Sequence, residues 1–284
     1  MYESFFGLRE PAFSLSPDPR FLWPSETHEE GLSALSYGIL RREGFLLLTG
    51  AIGTGKTTLL RALVAELPVD TDTALIMNTA GLSGRDLLKL IAAELSLAGP
   101  FESKVDYIIA LNSHLLGRLR AGVSTVLVID EAHNIDHDTL EEVRLLSNLE
   151  TDTEKLLQIV LTGQPELRRK LADPRLRQLR QRIAIEHHLE PLGRHDVMPY
   201  LAHRIAVAGG RYDQIFAPGC ESAFFAFSQG CPRLISLLAE RTLLSAYAKQ
   251  LRPVPVALVE EKAKEMAETQ GAAPGEPGSD GLET

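Results

Sequence analysis

The chain has 284 residues, of which 44% are hydrophobic and 24% are charged, and its formal net charge is −9. These values are typical of a globular protein of one or two domains, and the negative charge argues against a protein that coats nucleic acid. The sequence contains no apolar run of the ~20 residues that a membrane span needs, and it lacks the layout of a secretory signal or a disulfide framework. We therefore expect a cytoplasmic protein without a membrane span.

Residues 1–40 form a lead segment that is rich in proline and aromatic residues. The prolines exclude one regular helix, but the large apolar side chains predict that the segment packs on a globular body. Apolar residues at helical spacing predict a helix over Thr27–Leu40, at the end of this segment.

Short apolar runs alternate with helical patterns through residues 41–190. The runs predict five buried strands with the sequences FLLLTG, TALIMN, TVLVID, LQIVLTG and IAIEHH. The predicted helices between them are Thr57–Glu66, Arg85–Leu95, Val105–Arg120 and Thr139–Glu150. This β–α alternation indicates an α/β fold, with a parallel sheet that helices cover on both faces.

After residue 190 only helical patterns follow. We expect helices near residues 196–208, 218–228, 232–249 and 256–268, which would form a small all-helical domain over residues 191–268. The last segment, residues 269–284, is acidic, rich in glycine and proline, and almost free of large apolar residues. Such a composition predicts a disordered tail.

A glycine-rich motif, GAIGTGKTT, follows the first predicted strand and opens a predicted helix. It matches G-x-x-x-x-G-K-[ST] in full, a loop whose backbone N–H groups surround phosphates. In such a loop Lys56 reaches the β- and γ-phosphates, and the hydroxyl of Thr57 ligates Mg²⁺. The predicted nucleotide-binding residues of this loop are Gly50, Ala51, Ile52, Gly53, Thr54, Gly55, Lys56, Thr57 and Thr58.

The third predicted strand ends in an acidic pair, Asp130 and Glu131, within TVLVIDEAH. An aspartate at the end of a buried strand can hold Mg²⁺ through water, and the next carboxylate can polarise the attacking water. Together the two motifs predict nucleotide hydrolysis. The base-reading signature of GTPases, N-K-x-D, is absent from the sequence, and this favours ATP as the nucleotide.

Two other stretches carry side chains that could take part in hydrolysis. If the fourth strand, which ends in LTGQPEL, lies between the strands of the two motifs, Thr162 or Gln164 could orient the attacking water.

Arg180 and Arg182 precede the last strand, where an arginine could reach the γ-phosphate of a neighbouring subunit. They lie in a basic segment, residues 168–182, with seven basic residues and one acidic residue. This segment either meets phosphate or forms ion pairs.

Two features of the sequence have competing interpretations. His133 and His137 are four residues apart, a spacing that could suggest a metal site. However, Mg²⁺ prefers oxygen ligands, and no third ligand cluster accompanies the pair. We therefore expect a structural role for this pair, as for His187 and His188.

Arg233 lies in the first turn of a predicted helix, where the helix dipole disfavours a cation. Either the γ-phosphate offsets this position, or the side chain packs over apolar neighbours.

These motifs occur in the order in which an AAA+ ATPase carries them, and the chain resembles that class. More narrowly, MYESFFGLREPAFSLSPDPRFL, followed by GLSALSYGI and the phosphate loop, resembles the ExeA/GspA family. Members of this family are ATPases of bacterial secretion, pilus and exopolysaccharide systems. The resemblance extends over residues 1–268.

The resemblance implies a role for each matched residue, with ATP and Mg²⁺ as cofactors. Lys56 and Thr57 would be the phosphate and Mg²⁺ ligands, and Asp130 and Glu131 the Walker B pair. The other implied roles are sensor 1 for Gln164 or Thr162, arginine finger for Arg182 and sensor 2 for Arg233. The lead segment would help to wall the nucleotide pocket. A finger that acts in trans implies a homo-oligomer, either a ring or a filament.

The secretion proteins of this family resemble longer chains, in which a membrane span and a peptidoglycan-binding domain follow the ATPase part. In this sequence the predicted disordered tail follows the predicted helical domain instead. We therefore expect a stand-alone ATPase for an exopolysaccharide or protein-sorting system, with a protein partner at the inner membrane. The alternative is a DNA-associated regulator of transposition, similar to TniB or MuB, which the basic segment suits and the net charge of −9 does not. A DEAH-type helicase is excluded, because it needs two sheets and the sequence predicts one.

Overall fold

The computed structural model describes residues 1–77, 79–152 and 154–271. These residues form two compact units. The core unit comprises Pro17–Glu190, and the helical unit comprises Met1–Ser16 together with the chain from Pro191 onward. Most of the predicted disordered tail, from residue 272, lies outside the described residues.

The core unit contains a five-stranded parallel sheet. Its strands are β1 Phe45–Gly50, β2 Thr71–Ile76, β3 Ser124–Ile129, β4 Gln158–Gly163 and β5 Ile183–Leu189. Their order across the sheet is β2-β3-β4-β1-β5, so β4 lies between the strands that carry the two phosphate-site motifs. The predicted α/β fold with a parallel sheet is confirmed.

The helices of the core unit cover both faces of this sheet. In chain order, the helices of the described residues are α1 Tyr2–Phe6, α2 Glu26–Leu40, α3 Lys56–Glu66, α4 Gly84–Glu94, α5 Lys104–Arg120, α6 His137–Leu146, α7 Pro165–Leu171, α8 Arg177–Arg180, α9 Val197–Val207, α10 Tyr212–Ile215, α11 Cys220–Ser228, α12 Pro232–Ala248 and α13 Val256–Gly271. Within the described residues, no helix is long and apolar enough to cross a membrane.

Alternate residues of the central strands belong to two separate hydrophobic clusters. On β1, Leu46 and Leu48 pack in the cluster that includes residues of α2 and α3. Leu47, between them, packs in the cluster that includes residues of α4, α5 and α6. Because both faces are covered, β1 and β4 are buried along their whole length, which explains why they read as unbroken apolar runs.

The lead segment is divided between the two units, whereas we expected residues 1–40 to pack together on the core. The aromatic side chains of Tyr2, Phe6 and Phe13 are buried. On α9, the buried guanidinium of Arg204 donates hydrogen bonds to the carbonyl oxygens of Ala12 (2.8 Å) and Ser14 (2.9 Å). Aromatic burial and these two bonds explain why residues 1–16 are part of the helical unit.

Candidate phosphate site

The glycine-rich loop connects β1 to α3, as the motif requires. Gly53 and Gly55 adopt left-handed backbone conformations, with φ of 82° and 101°, which favour glycine. Lys56 begins α3, and its buried Nζ donates hydrogen bonds to the carbonyl oxygens of Gly50 (2.9 Å) and Ala51 (3.0 Å). The loop's own backbone therefore holds the ammonium group at the phosphate site.

Asp130 connects the phosphate loop to the neighbouring strand ends. Its Oδ2 accepts a 2.7 Å hydrogen bond from the hydroxyl of Thr57, and its Oδ1 accepts one from the hydroxyl of Thr162. The backbone N–H of Glu131 also donates to Oδ1, at 2.9 Å. Because β4 lies between β1 and β3, Thr162 of β4 and Thr57 of α3, the helix that follows β1, both reach this carboxylate.

The donor atoms at this position fit Mg²⁺. The Thr57 hydroxyl and the Asp130 carboxylate are oxygen donors, which Mg²⁺ prefers, and they lie 2.7 Å apart. Among the described residues, no group of three or more His, Cys, Asp or Glu side chains could hold a metal ion. Mg²⁺ would therefore complete its coordination with phosphate and water oxygens, as is usual at nucleotide sites.

Glu131 lies beside a histidine for which we expected only a structural role. The Nε2 atom of His133 lies 3.3 Å from the Oε2 atom of Glu131. The backbone N–H of Gln164 donates a long hydrogen bond of 3.4 Å to His133 Nδ1. Since Nδ1 accepts, the ring proton is on Nε2, the nitrogen that lies beside the carboxylate. Only the position of His133, two residues after Glu131, could have suggested this contact.

Two other polar residues fix the short turn that follows Asp130. Three residues after the end of β2, the Thr79 hydroxyl donates to the carbonyl oxygen of Glu131 at 2.8 Å. From α7, Lys170 Nζ donates to the carbonyl oxygens of His133 (2.5 Å) and Ile135 (2.6 Å), and burial lowers the pKa of this lysine. The turn that carries Glu131 is thus anchored from both sides.

The two candidates for sensor 1 have different environments. Thr162 is fully buried on β4, and its hydroxyl contacts Asp130. Gln164 is half-buried at the start of α7, and its backbone rather than its side chain contacts His133. Thr162 therefore contacts Asp130 directly, whereas Gln164 contacts His133, the neighbour of Glu131.

Most of the basic segment is engaged in contacts of its own unit. Its ion pairs and hydrogen bonds join Arg168 to Glu186, Arg169 to Glu166, Arg175 to Asp173 and Arg182 to Ser147. Arg177 and Arg180 are exposed, and neither side chain makes a hydrogen bond or an ion pair among the described residues. The segment is therefore mainly a pair-forming surface, which weakens the case for DNA as a partner.

Arg233 lies in the helical unit, in the first turn of α12, as the sequence predicts. The chain reaches α12 through Gly230, whose φ is 79°. A Cβ at Gly230 would lie 2.0 Å from the carbonyl oxygen of Leu192, so only glycine fits at this close approach. Arg233 itself is exposed, and in the described part of its unit its side chain makes no hydrogen bond or ion pair.

The fold and the loop define the class of this protein. Residues 39–171 match the AAA domain family. Cdc6p of Pyrobaculum aerophilum is similar with a TM-score of 0.70 at 19% identity, covering 93% of this chain and 74% of that one. The Walker-type ATPase of Pyrococcus abyssi gives a TM-score of 0.60 at 18% identity, covering 91% and 77%. The chain therefore has a P-loop AAA fold, followed by a helical region.

The chain is also similar in sequence to a secretion protein. The chain is 46% identical over 250 residues to general secretion pathway protein A of Aeromonas hydrophila, which covers 88% of this chain and 45% of that protein. The chain thus spans less than half the length of this relative. The resemblance to the ExeA/GspA family is confirmed, and the chain is an AAA relative of general secretion pathway protein A.

Proposed function

We propose that this chain binds ATP and hydrolyses it to ADP and phosphate at the loop Gly50–Thr58. The observation that carries the proposal is the Asp130 carboxylate, which accepts hydrogen bonds from Thr57 of the loop and Thr162 of β4, directly beside Glu131. The backbone N–H groups of the loop and the Lys56 ammonium would bind the phosphates. Mg²⁺, when bound by Thr57 and Asp130, would neutralise charge that develops on the phosphate oxygens.

In this proposal Glu131 is the general base. Its carboxylate would accept a proton from the attacking water, and His133 would hold the carboxylate in place through Nε2. Thr162 would keep the neighbouring carboxylate of Asp130 directed at Thr57. Arg233, exposed in the first turn of its helix, remains our predicted sensor of the γ-phosphate. An arginine of a neighbouring copy would complete the site, so the active form would be a homo-oligomer.

Phosphate release by the purified chain tests the hydrolytic role. Glu131→Gln should keep ATP binding and lose about 100-fold in turnover, because the amide fits the site but cannot accept a proton. Glu66→Gln, at the exposed end of α3, is the matched control and should hydrolyse ATP like the parent. Parental turnover in the Glu131 variant would show that another group activates the water.

We further propose that this ATPase supports a bacterial secretion, sorting or exopolysaccharide system through a protein partner at the inner membrane. The name of the 46% identical relative, general secretion pathway protein A, supports this assignment. The site would face the cytoplasm, where ATP is available. Deletion of the gene should impair protein or polysaccharide export, and the parent gene should restore it. Restoration by the Glu131→Gln gene would contradict a role for hydrolysis.

A further inference from the structure

We infer that His28 is a positioning residue for the phosphate loop and holds the peptide between Thr54 and Gly55 in the orientation that binds phosphate. This inference rests on the proposed nucleotide site and deepens it. His28 lies in the first turn of α2, before the sheet begins, and its side chain is only 3% exposed. The Nε2 atom of the ring lies 3.1 Å from the carbonyl oxygen of Thr54.

The contacts of the ring define its protonation. A carbonyl oxygen only accepts hydrogen bonds, so Nε2 must carry a proton and donate it to Thr54. On the other side of the ring, Nδ1 lies 2.6 Å from the hydroxyl of Ser25, which is also buried. In the neutral imidazole this hydroxyl donates to Nδ1. Ser25 precedes α2 but makes no side-chain capping bond to it, so its hydroxyl orients the ring instead.

The bond to Thr54 controls the direction of the next N–H group. In a planar trans peptide the C=O and N–H bonds point in opposite directions. With the Thr54 oxygen directed at His28, the Gly55 N–H points away from the ring, to the side on which a loop of this type binds phosphate. A Cβ at Gly55 would lie 3.2 Å from His28 Nε2, and its φ is 101°, so this position needs glycine for two reasons.

The helix that carries His28 is itself fixed to the sheet. His187 on β5 bonds through Nε2 to the carbonyl oxygen of Thr27 at 2.8 Å. Gly31, one turn along α2, leaves room for the imidazole, because a Cβ there would lie 2.7 Å from the His187 ring. The two histidines thus connect β5, α2 and the phosphate loop, and they give the loop a support that does not depend on bound nucleotide.

Binding of ATP and of ADP to the full chain tests this role. His28→Phe keeps a buried ring but removes the donor, and it should weaken both nucleotides about tenfold, since one hydrogen bond is lost. The maximal turnover at saturating ATP should change less than about twofold, because His28 does not touch the reacting atoms. His28→Gln can place an N–H near the position of Nε2, and we expect it to restore most of the affinity.

Tyr37→Phe, at a site on α2 that is 60% exposed, is the matched control and should bind like the parent. Ser25→Ala provides a second test if the Phe variant fails to fold, and it should weaken both nucleotides in the same direction. Parental affinity in a folded His28→Phe variant, or lower thermal stability without a change in affinity, would overturn the inference. If the parent itself binds no nucleotide, the proposed function fails rather than the role of His28.

Discussion

The Nε2 atom of His133 lies 3.3 Å from the Oε2 atom of Glu131, the residue that we propose as the general base. The short turn Ala132–Asn134 brings the two side chains together. Glu131 has a φ of 52°, in the left-handed region, which is uncommon for a residue other than glycine. Both the backbone and the histidine therefore restrict where the carboxylate can point.

We expect His133→Ala to lower the maximal ATP turnover about tenfold, because a freely rotating carboxylate would be correctly placed less often. The affinity for ATP should stay within about twofold, since His133 makes no hydrogen bond or ion pair with the phosphate loop, all of whose residues are described. His133→Gln, which can donate from a similar position, should recover part of the turnover. Steady-state phosphate release measures both effects, and a loss of affinity without a loss of turnover would contradict this role.

Substitutions at the two candidates for sensor 1, Thr162 and Gln164, should affect ATP binding and turnover differently. Thr162→Val removes a hydroxyl that donates to a buried carboxylate, so Asp130 would lose one of its partners. We expect Mg²⁺-dependent ATP binding to weaken about tenfold in this variant. Gln164→Ala leaves the backbone bond to His133 intact, so it should affect turnover only if the side chain orients the water. Titration of ATP with and without Mg²⁺, combined with turnover, distinguishes the two. Unchanged Mg²⁺-dependent ATP binding by the Thr162→Val variant would contradict a role for Thr162 in the site.

The resemblance implies Arg182 as the arginine finger, but we propose that Arg180 is the residue that would act in trans. Arg182 donates to the hydroxyl of Ser147 and to the carbonyl oxygen of Arg144, so it would have to leave these partners to reach another subunit. Arg180 is exposed at the end of α8. Arg180→Ala should lower turnover about 1000-fold, as loss of an arginine finger does, and mixing it with Lys56→Ala should restore part of it.

Arg182→Ala is the matched comparison for this experiment. We expect it to lower the thermal stability and to change turnover much less than Arg180→Ala, because its contacts lie within its own unit. If the Arg182 variant is the inactive one, and if mixing it with Lys56→Ala restores activity, Arg182 is the finger.

We expect Arg233→Ala to lower turnover at saturating ATP about tenfold or more. An exposed cation in the first turn of a helix is disfavoured by the dipole, and the γ-phosphate is the anion that would offset this. In the parent, hydrogen exchange over residues 196–249 should differ between the ATP and ADP states. The difference should vanish in the variant. Near-normal turnover with the difference preserved would leave Arg233 as a surface arginine.

The two phosphate-site motifs predict the elements around them because their chemistry requires that local structure. A loop that binds phosphate must join a strand to a helix, and GAIGTGKTT does so between β1 and α3. Helix ends were harder to predict. We expected α6 to begin at Thr139, but it begins at His137, because the carboxylate of Asp136 accepts the N–H of Thr139 and caps the helix there.

What the sequence could not predict depends on contacts between distant residues. The position of β4 between β1 and β3 decides that Thr162 meets Asp130, and no local pattern specifies strand order. His28 and Thr54 are 26 residues apart, so a buried histidine before the sheet gave no sign of its contact with the loop. The separation of residues 1–16 from the rest of the lead segment likewise depends on Arg204, about 190 residues further along the chain.

The most direct measurement of the central claim is a calorimetric titration of Mg²⁺-ATP into the parent chain and into Lys56→Ala. The account predicts that the parent binds ATP and that the variant, folded with the same thermal stability, binds it about 10–100-fold more weakly. The reason is that the loop backbone remains but the charged donor to the phosphates is lost. Equal ATP affinity in the parent and in the folded variant, or no binding by the parent, would contradict the assignment of this loop as the nucleotide site.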